Sequence, residues 1–136
     1  RRPPRSTRKE SSAASDVYKR QVIDIQKESH MDDFTGLMGS GPAYFFYLLQ
    51  VYEKRILKLS NGDLEKKNLM ISNLLDGVSK SIGSGETTEA LIKAVSSKKG
   101  TTEAGIKSFQ SSQLLKSFDK GIAAAIKRSK EISSEF

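Results

Sequence analysis

Apolar residues recur at steps of three and four along most of this chain, the spacing that places them on one face of a helix. The strongest such pattern follows Pro42, a favoured first-turn residue, with Ser40 as the cap, and predicts a helix from 42 to about 59 before the Asn61-Gly62 turn. In its first half Ala43, Tyr44, Phe45, Phe46, Tyr47, Leu48, Leu49, Val51 and Tyr52 leave no wide polar face. Such a helix must be enclosed. A domain of this size cannot surround it unaided, so part of that surface is expected to lie against a second copy of the chain.

Four more helices follow from the same spacing. Asp63 is placed to cap one that carries Leu64, Leu69, Ile71, Leu74, Leu75, Val78 and Ile82 and ends at Gly83 and Gly85. Thr87 is placed to cap a short one, from about 88 to 95, with Leu91, Ile92 and Val95 on one side. After a Ser/Lys/Gly loop, another begins at Thr101 or Thr102 and carries Ala104, Ile106 and Phe109. The last, from 113 to about 132, sets Leu115, Phe118, Ile122, Ala125, Ile126 and Ser129 on one face. Upstream, Val22-Ile23-Asp24-Ile25 reads as a short extended lead-in, and the polar stretch to 34, anchored by Met31 and Phe34, as a linker. With no strand ladder and no internal repeat in the pattern, the fold class is all-α.

The chain has 136 residues, 36% of them hydrophobic and 29% charged, which suits one globular domain. Its net charge of +7 invites a nucleic-acid reading, but the charge is concentrated. Residues 1–21 hold seven Lys or Arg against two acids, whereas the rest is close to balanced. That segment, RRPPRSTRKESSAASDVYKRQ, has no apolar periodicity and reads as a disordered leader that resembles a translated cloning or sequencing adapter. It lacks the apolar central run of a secretory signal. The domain is therefore placed at 22–136, without a nucleic-acid partner. There is no cysteine, which excludes disulfides and thiolate metal sites and agrees with a cytoplasmic address. The longest apolar run is far short of the roughly 20 residues of a membrane helix, so no membrane partner is expected.

Few residues offer chemistry. His30 is the sole histidine and lacks metal-binding companions, so a structural or surface role is expected and no metal site. Asp32 and Asp33 are adjacent and point apart, a poor general acid/base pair. Gly39-Ser40-Gly41-Pro42 begins like a dinucleotide fingerprint, but it has no third glycine and no βαβ context, and Pro42 removes an amide. Its plain reading is a tight helix start. Ser96-Ser97-Lys98-Lys99-Gly100-Thr101-Thr102 lacks the spacing of a phosphate-binding loop. It still opens a helix, where free backbone N–H groups and partial positive charge suit a small carboxylate.

Residues 22–136 resemble the C-terminal helical dimerisation domain of pyrroline-5-carboxylate reductases. The resemblance rests on ESHMDDFT at 28–35, GLMGSGPAYFF at 36–46 and SSKKGTTEAG at 96–105, in that order and separation. It implies a helical bundle of the type found at the C-terminus of 6-phosphogluconate dehydrogenase. It also implies a homodimer, assembling further into rings, and a small imino-acid substrate, 1-pyrroline-5-carboxylate, reduced to L-proline by NADPH or NADH. Carried over, Ser97, Gly100 and Thr101 orient the substrate carboxylate, and Thr102 is the catalytic contact at the imine nitrogen. Gly39, Ser40, Gly41 and Pro42 form the helix start near that site.

No cofactor-binding residue is assigned, and the chain alone is expected to bind no cofactor and not to catalyse. The family's usual loop reads Ser-Pro-Gly-Gly-Thr-Thr, whereas Lys98 and Lys99 stand here in place of proline and the first glycine. A lost glycine threatens any turn that needs a positive φ. The two ammonium groups either strengthen anion attraction or mark a relative with another imino-acid substrate. The competing reading is a catalytically inert helical homodimeric interaction module whose loops are only caps.

Overall fold

In a computed structural model of the protein, residues 27–135 are described. The leader and the Val22–Ile25 lead-in lie outside them. Residues Asp32–Phe136 form one compact unit. Among the described residues every regular element is helical.

Helix α1 spans Ser29–Phe34 and runs into a π-helical turn, Thr35–Gly39, closed by a 3.0 Å bond from the Ser40 N–H to the Thr35 carbonyl. Of the stretch read from sequence as a linker, Ser29–Phe34 is therefore helical, and the π-turn carries the helix on to Gly39. Its reason is tertiary. Asp32 Oδ1 accepts from Ser129 Oγ at 2.8 Å and Ser133 Oγ at 3.0 Å, bonds to the far end of the chain that no local pattern announces.

Helix α2 covers Gly41–Leu59, with Pro42 in its first turn. Ser40 makes no side-chain cap, because its own backbone is helical and its carbonyl takes the Ala43 N–H at 3.0 Å. The helix stops where Asn61 and Gly62 turn left-handed, at φ 52° and 80°. The Gly62 N–H reaches back to the Leu57 carbonyl at 2.9 Å.

Helix α3 spans Leu64–Ile82 and is capped by Asp63, whose Oδ1 accepts the Lys66 N–H at 3.1 Å. Helix α4, Thr88–Val95, is capped by Thr87 Oγ1 on the Ala90 N–H, also at 3.1 Å. Each cap is worth about 1 kcal/mol. Helix α5 covers Thr101–Ser111 and α6 covers Leu114–Ser134, separated by Gln113 at φ 55°.

The packing of Asp32–Phe136 is sparse. Helix α2 lies along α3, joined by a 2.6 Å ion pair between Lys67 and Glu53, while α6 packs on the π-turn and on α5. At the π-turn, Gly36 is buried, and a Cβ there would lie 2.5 Å from Ile126 Cγ1 and 3.1 Å from the Ile126 backbone nitrogen. Glycine is required by that approach.

Among the described residues no apolar side chain is fully buried in the single chain. Phe46 is 67% exposed and Tyr47 is 74% exposed. Exposed leucines, valines and isoleucines also run along α3 and α4, at Leu74, Val78, Ile82, Ile92 and Val95. A folded domain that leaves so much apolar surface in water calls for a covering partner.

Candidate functional site

The loop between α4 and α5 is built by a few backbone decisions. Ser96 ends α4, its Oγ donating to the Ile92 carbonyl at 2.6 Å. A tight turn follows, closed at 3.0 Å by the Gly100 N–H on the Ser97 carbonyl. Inside it, Lys99 has φ 59°, the left-handed region that costs a residue with a Cβ roughly 1–2 kcal/mol. A lysine, not a glycine, carries that angle here.

Gly100, the residue before α5, is extended at φ −90° and ψ −177°. A Cβ on it would collide with Ser97 Oγ and sit 3.1 Å from the Ser97 carbonyl oxygen. Ser97 and Gly100 are therefore in van der Waals contact, and a side chain at 100 would push the serine hydroxyl away. The first intrahelical bond of α5 runs from the Ala104 N–H to the Gly100 carbonyl at 3.2 Å. The N–H groups of Thr101, Thr102 and Glu103 precede it and have no intrahelical acceptor. Thr101 is exposed and Thr102 half-buried. Ser97 Oγ, three backbone amides and two threonine hydroxyls thus share one helix end, a donor set suited to a small carboxylate.

Glu103 is the acidic group of this first turn. The Lys107 ammonium, 3.1 Å from its Oε1, holds its carboxyl below the usual range, helped by the Lys99 backbone N–H. Sequence reasoning passed over Glu103, although its place three residues after Gly100 is where capping carboxylates occur.

The structure thus brings Ser97, Gly100, Thr101 and Thr102 together. It places Gly39, Ser40, Gly41 and Pro42 at the junction of the π-turn and α2. His30 is exposed. Among the described residues no three His, Asp or Glu side chains gather as metal ligands, and no helix is long and apolar enough to cross a membrane.

The family model described as "Pyrroline-5-carboxylate reductase dimerisation" matches residues 28–132. The chain belongs to the pyrroline-5-carboxylate reductase dimerisation family. It is 36% identical over 115 residues to pyrroline-5-carboxylate reductase 1 of Bacillus spizizenii, covering 85% of this chain and 38% of that protein. The Staphylococcus aureus pyrroline-5-carboxylate reductase is 36% identical over 116 residues, covering 83% of this chain and 41% of its own. A crystal structure of Plasmodium falciparum pyrroline carboxylate reductase with NADP bound superposes with a TM-score of 0.64 at 25% identity, over 77% of this chain and 40% of that one. The chain spans about two fifths of the length of these reductases.

Proposed function

We propose that this domain supplies the substrate loop and the dimer contacts of a pyrroline-5-carboxylate reductase, which reduces 1-pyrroline-5-carboxylate to L-proline. The observation that carries the reading is the loop from 97 to 102. Its positive-φ turn at Lys99 and the close approach of Ser97 to Gly100 set the Ser97 side chain beside the free amides at the start of α5.

In this role Ser97 Oγ and the amides of Thr101 and Thr102 hold the substrate carboxylate, while Gly100 lets the Ser97 side chain come close to the helix start. The donors are fixed before the substrate arrives, so little ordering entropy is lost on binding. Thr102 Oγ1, one residue further along the helix, hydrogen-bonds the ring nitrogen. It keeps the imine carbon polarised towards an incoming hydride. The Lys98 and Lys99 ammonium groups add long-range attraction for the anionic substrate.

NADPH or NADH supplies the hydride in such a reaction. Among the described residues there is no strand, and Gly39–Pro42 is a helical junction rather than a dinucleotide turn. The exposed apolar faces of α2, α3 and α4 support a homodimer, with rings of dimers as the further assembly. A cytoplasmic address fits a cysteine-free chain. The alternative of an inert helical module is not favoured by the family match.

The test joins the chain to the nucleotide-binding domain of the Bacillus spizizenii relative and follows NADPH oxidation with 1-pyrroline-5-carboxylate. Activity is expected, and Thr102→Ala should lower kcat/KM by about 100-fold if its hydroxyl contacts the reacting nitrogen. A folded, dimeric fusion that reduces neither this imine nor other cyclic imino acids would end the reading.

A further inference from the structure

Two apolar surfaces of the single chain stand uncovered, and they differ in shape. The first is a groove of about 760 Å³ between α3 and α4, walled by Leu74, Val78, Ile82, Leu91, Ile92 and Val95. None of the residues that line it is charged, although 29% of the chain is. Depletion of charge distinguishes the core of a protein interface from open surface.

The second surface is a stripe on α2. Phe45, Tyr52 and Leu59 are exposed and stand seven residues apart, so they fall on one line along the helix. Tyr44, which meets Phe118 of α6, and Glu53, which pairs with Lys67 of α3, lie to either side of that line.

The groove also contains a glycine that the single chain does not explain. Gly77 lies inside α3, where alanine would favour the helix more. A Cβ there would meet nothing within 4 Å, whereas one on Gly36 would press on Ile126. With Ser81 a turn further along, Gly77 leaves the groove deep enough to admit a bulky side chain.

We propose that the α3–α4 groove of one protomer seats the α2 stripe of its partner, with Gly77 at the point of closest approach. The inference rests on the homodimer proposed above and says which surfaces meet in it. The occupant is a second copy because the chain belongs to a dimerisation family whose model spans both surfaces, and because one contact covers both. Each protomer carries a groove and a stripe, so a two-fold axis makes the contact twice and leaves neither in water. Phe46, beside Phe45 and also exposed, falls within the same contact. An α3-on-α3 contact would fill the groove but leave the α2 stripe bare.

The seam is tested on the full 136-residue chain, whose lack of cysteine makes an introduced thiol an unambiguous reporter. Light scattering over a dilution series gives the association of the unmodified protein and of Gly77→Leu. The variant should associate about tenfold or more weakly with helical circular dichroism retained, because leucine favours the helix but fills the groove. A glycine without an interface role would respond in the opposite sense, with a more stable helix and an unchanged dimer. Tyr52→Cys and Val78→Cys chains, differently tagged and co-expressed, should be joined to each other by a short bismaleimide, and neither to itself.

Gly77→Leu associating as tightly as the unmodified chain would overturn the seam and leave the homodimer standing. Val78→Cys joined to itself, or no mixed product from an intact dimer, would overturn the α2 stripe as the occupant. An unmodified chain that is monomeric at every concentration would overturn the homodimer and this seam with it.

Discussion

The Tyr44 hydroxyl donates a 2.6 Å hydrogen bond to the Gly36 carbonyl, tying the second turn of the main helix to the π-turn before it. The same ring stands edge-on to Phe118 at 6.1 Å and 85°, so one tyrosine joins α2, the π-turn and α6. Removing the hydroxyl in Tyr44→Phe leaves a part-buried carbonyl unpaired. The expected loss is about 1 kcal/mol, read by urea unfolding at a fixed protomer concentration.

Gly36 is the opposite side of that node. Alanine there would press its methyl into Ile126, whose backbone nitrogen would lie 3.1 Å away, so the neighbour cannot yield by a side-chain rotation alone. Gly36→Ala should destabilise by about 1–3 kcal/mol, more than Tyr44→Phe. Equal unfolding midpoints for Gly36→Ala and the unmodified chain would contradict this packing.

The exposed face of α2 gives a prediction about association. Phe46 is 67% exposed in the single chain, and covering its ring in a dimer contributes about 2 kcal/mol. Phe46→Glu should therefore weaken the dimer about 30-fold or more, seen by light scattering over a dilution series, with helical circular dichroism retained.

Lys99 pays for its left-handed turn with its own Cβ. Lys99→Gly should raise stability by roughly 0.5–1 kcal/mol, and Lys99→Val should lower it, because a β-branched side chain tolerates positive φ least. Thermal melts of the two variants, compared with the unmodified chain, read the sign directly.

Glu103 gives a pH dependence of known sign. Its folded pKa is depressed, first by the Lys107 hydrogen bond and charge, so its contribution to stability is present above the unfolded carboxylate value and lost as pH falls through the folded one. Solvent screens the pair, and the effect is small and salt-sensitive. The Tm difference between the unmodified chain and Glu103→Gln should be present at neutral pH and vanish in acid.

Much of this fold is legible in the sequence because its signals are local. Asp63 and Thr87 cap where their side chains say they should, and Asn61-Gly62 ends a helix by backbone preference alone. The helix at 29–34 and the π-turn were not legible, since Asp32 meets Ser129 and Ser133 across about a hundred residues and Gly36 meets Ile126 through space. At the loop, Ser97, Gly100, Thr101 and Thr102 were singled out through the resemblance to the reductases' loop. The sequence could not tell that Lys99 would adopt a left-handed angle, which belongs to the turn that the Gly100 N–H closes on the Ser97 carbonyl.

The bond between Asp32 and Ser129 spans 97 residues of chain. At ordinary rates of synthesis, about 5–20 residues per second, the first helix waits on the order of five to twenty seconds for the serines that hold it. During that interval the apolar flank of α2 has emerged and α6 has not. The domain can close only once translation has delivered its last helix, and a nascent α2 must be shielded until then.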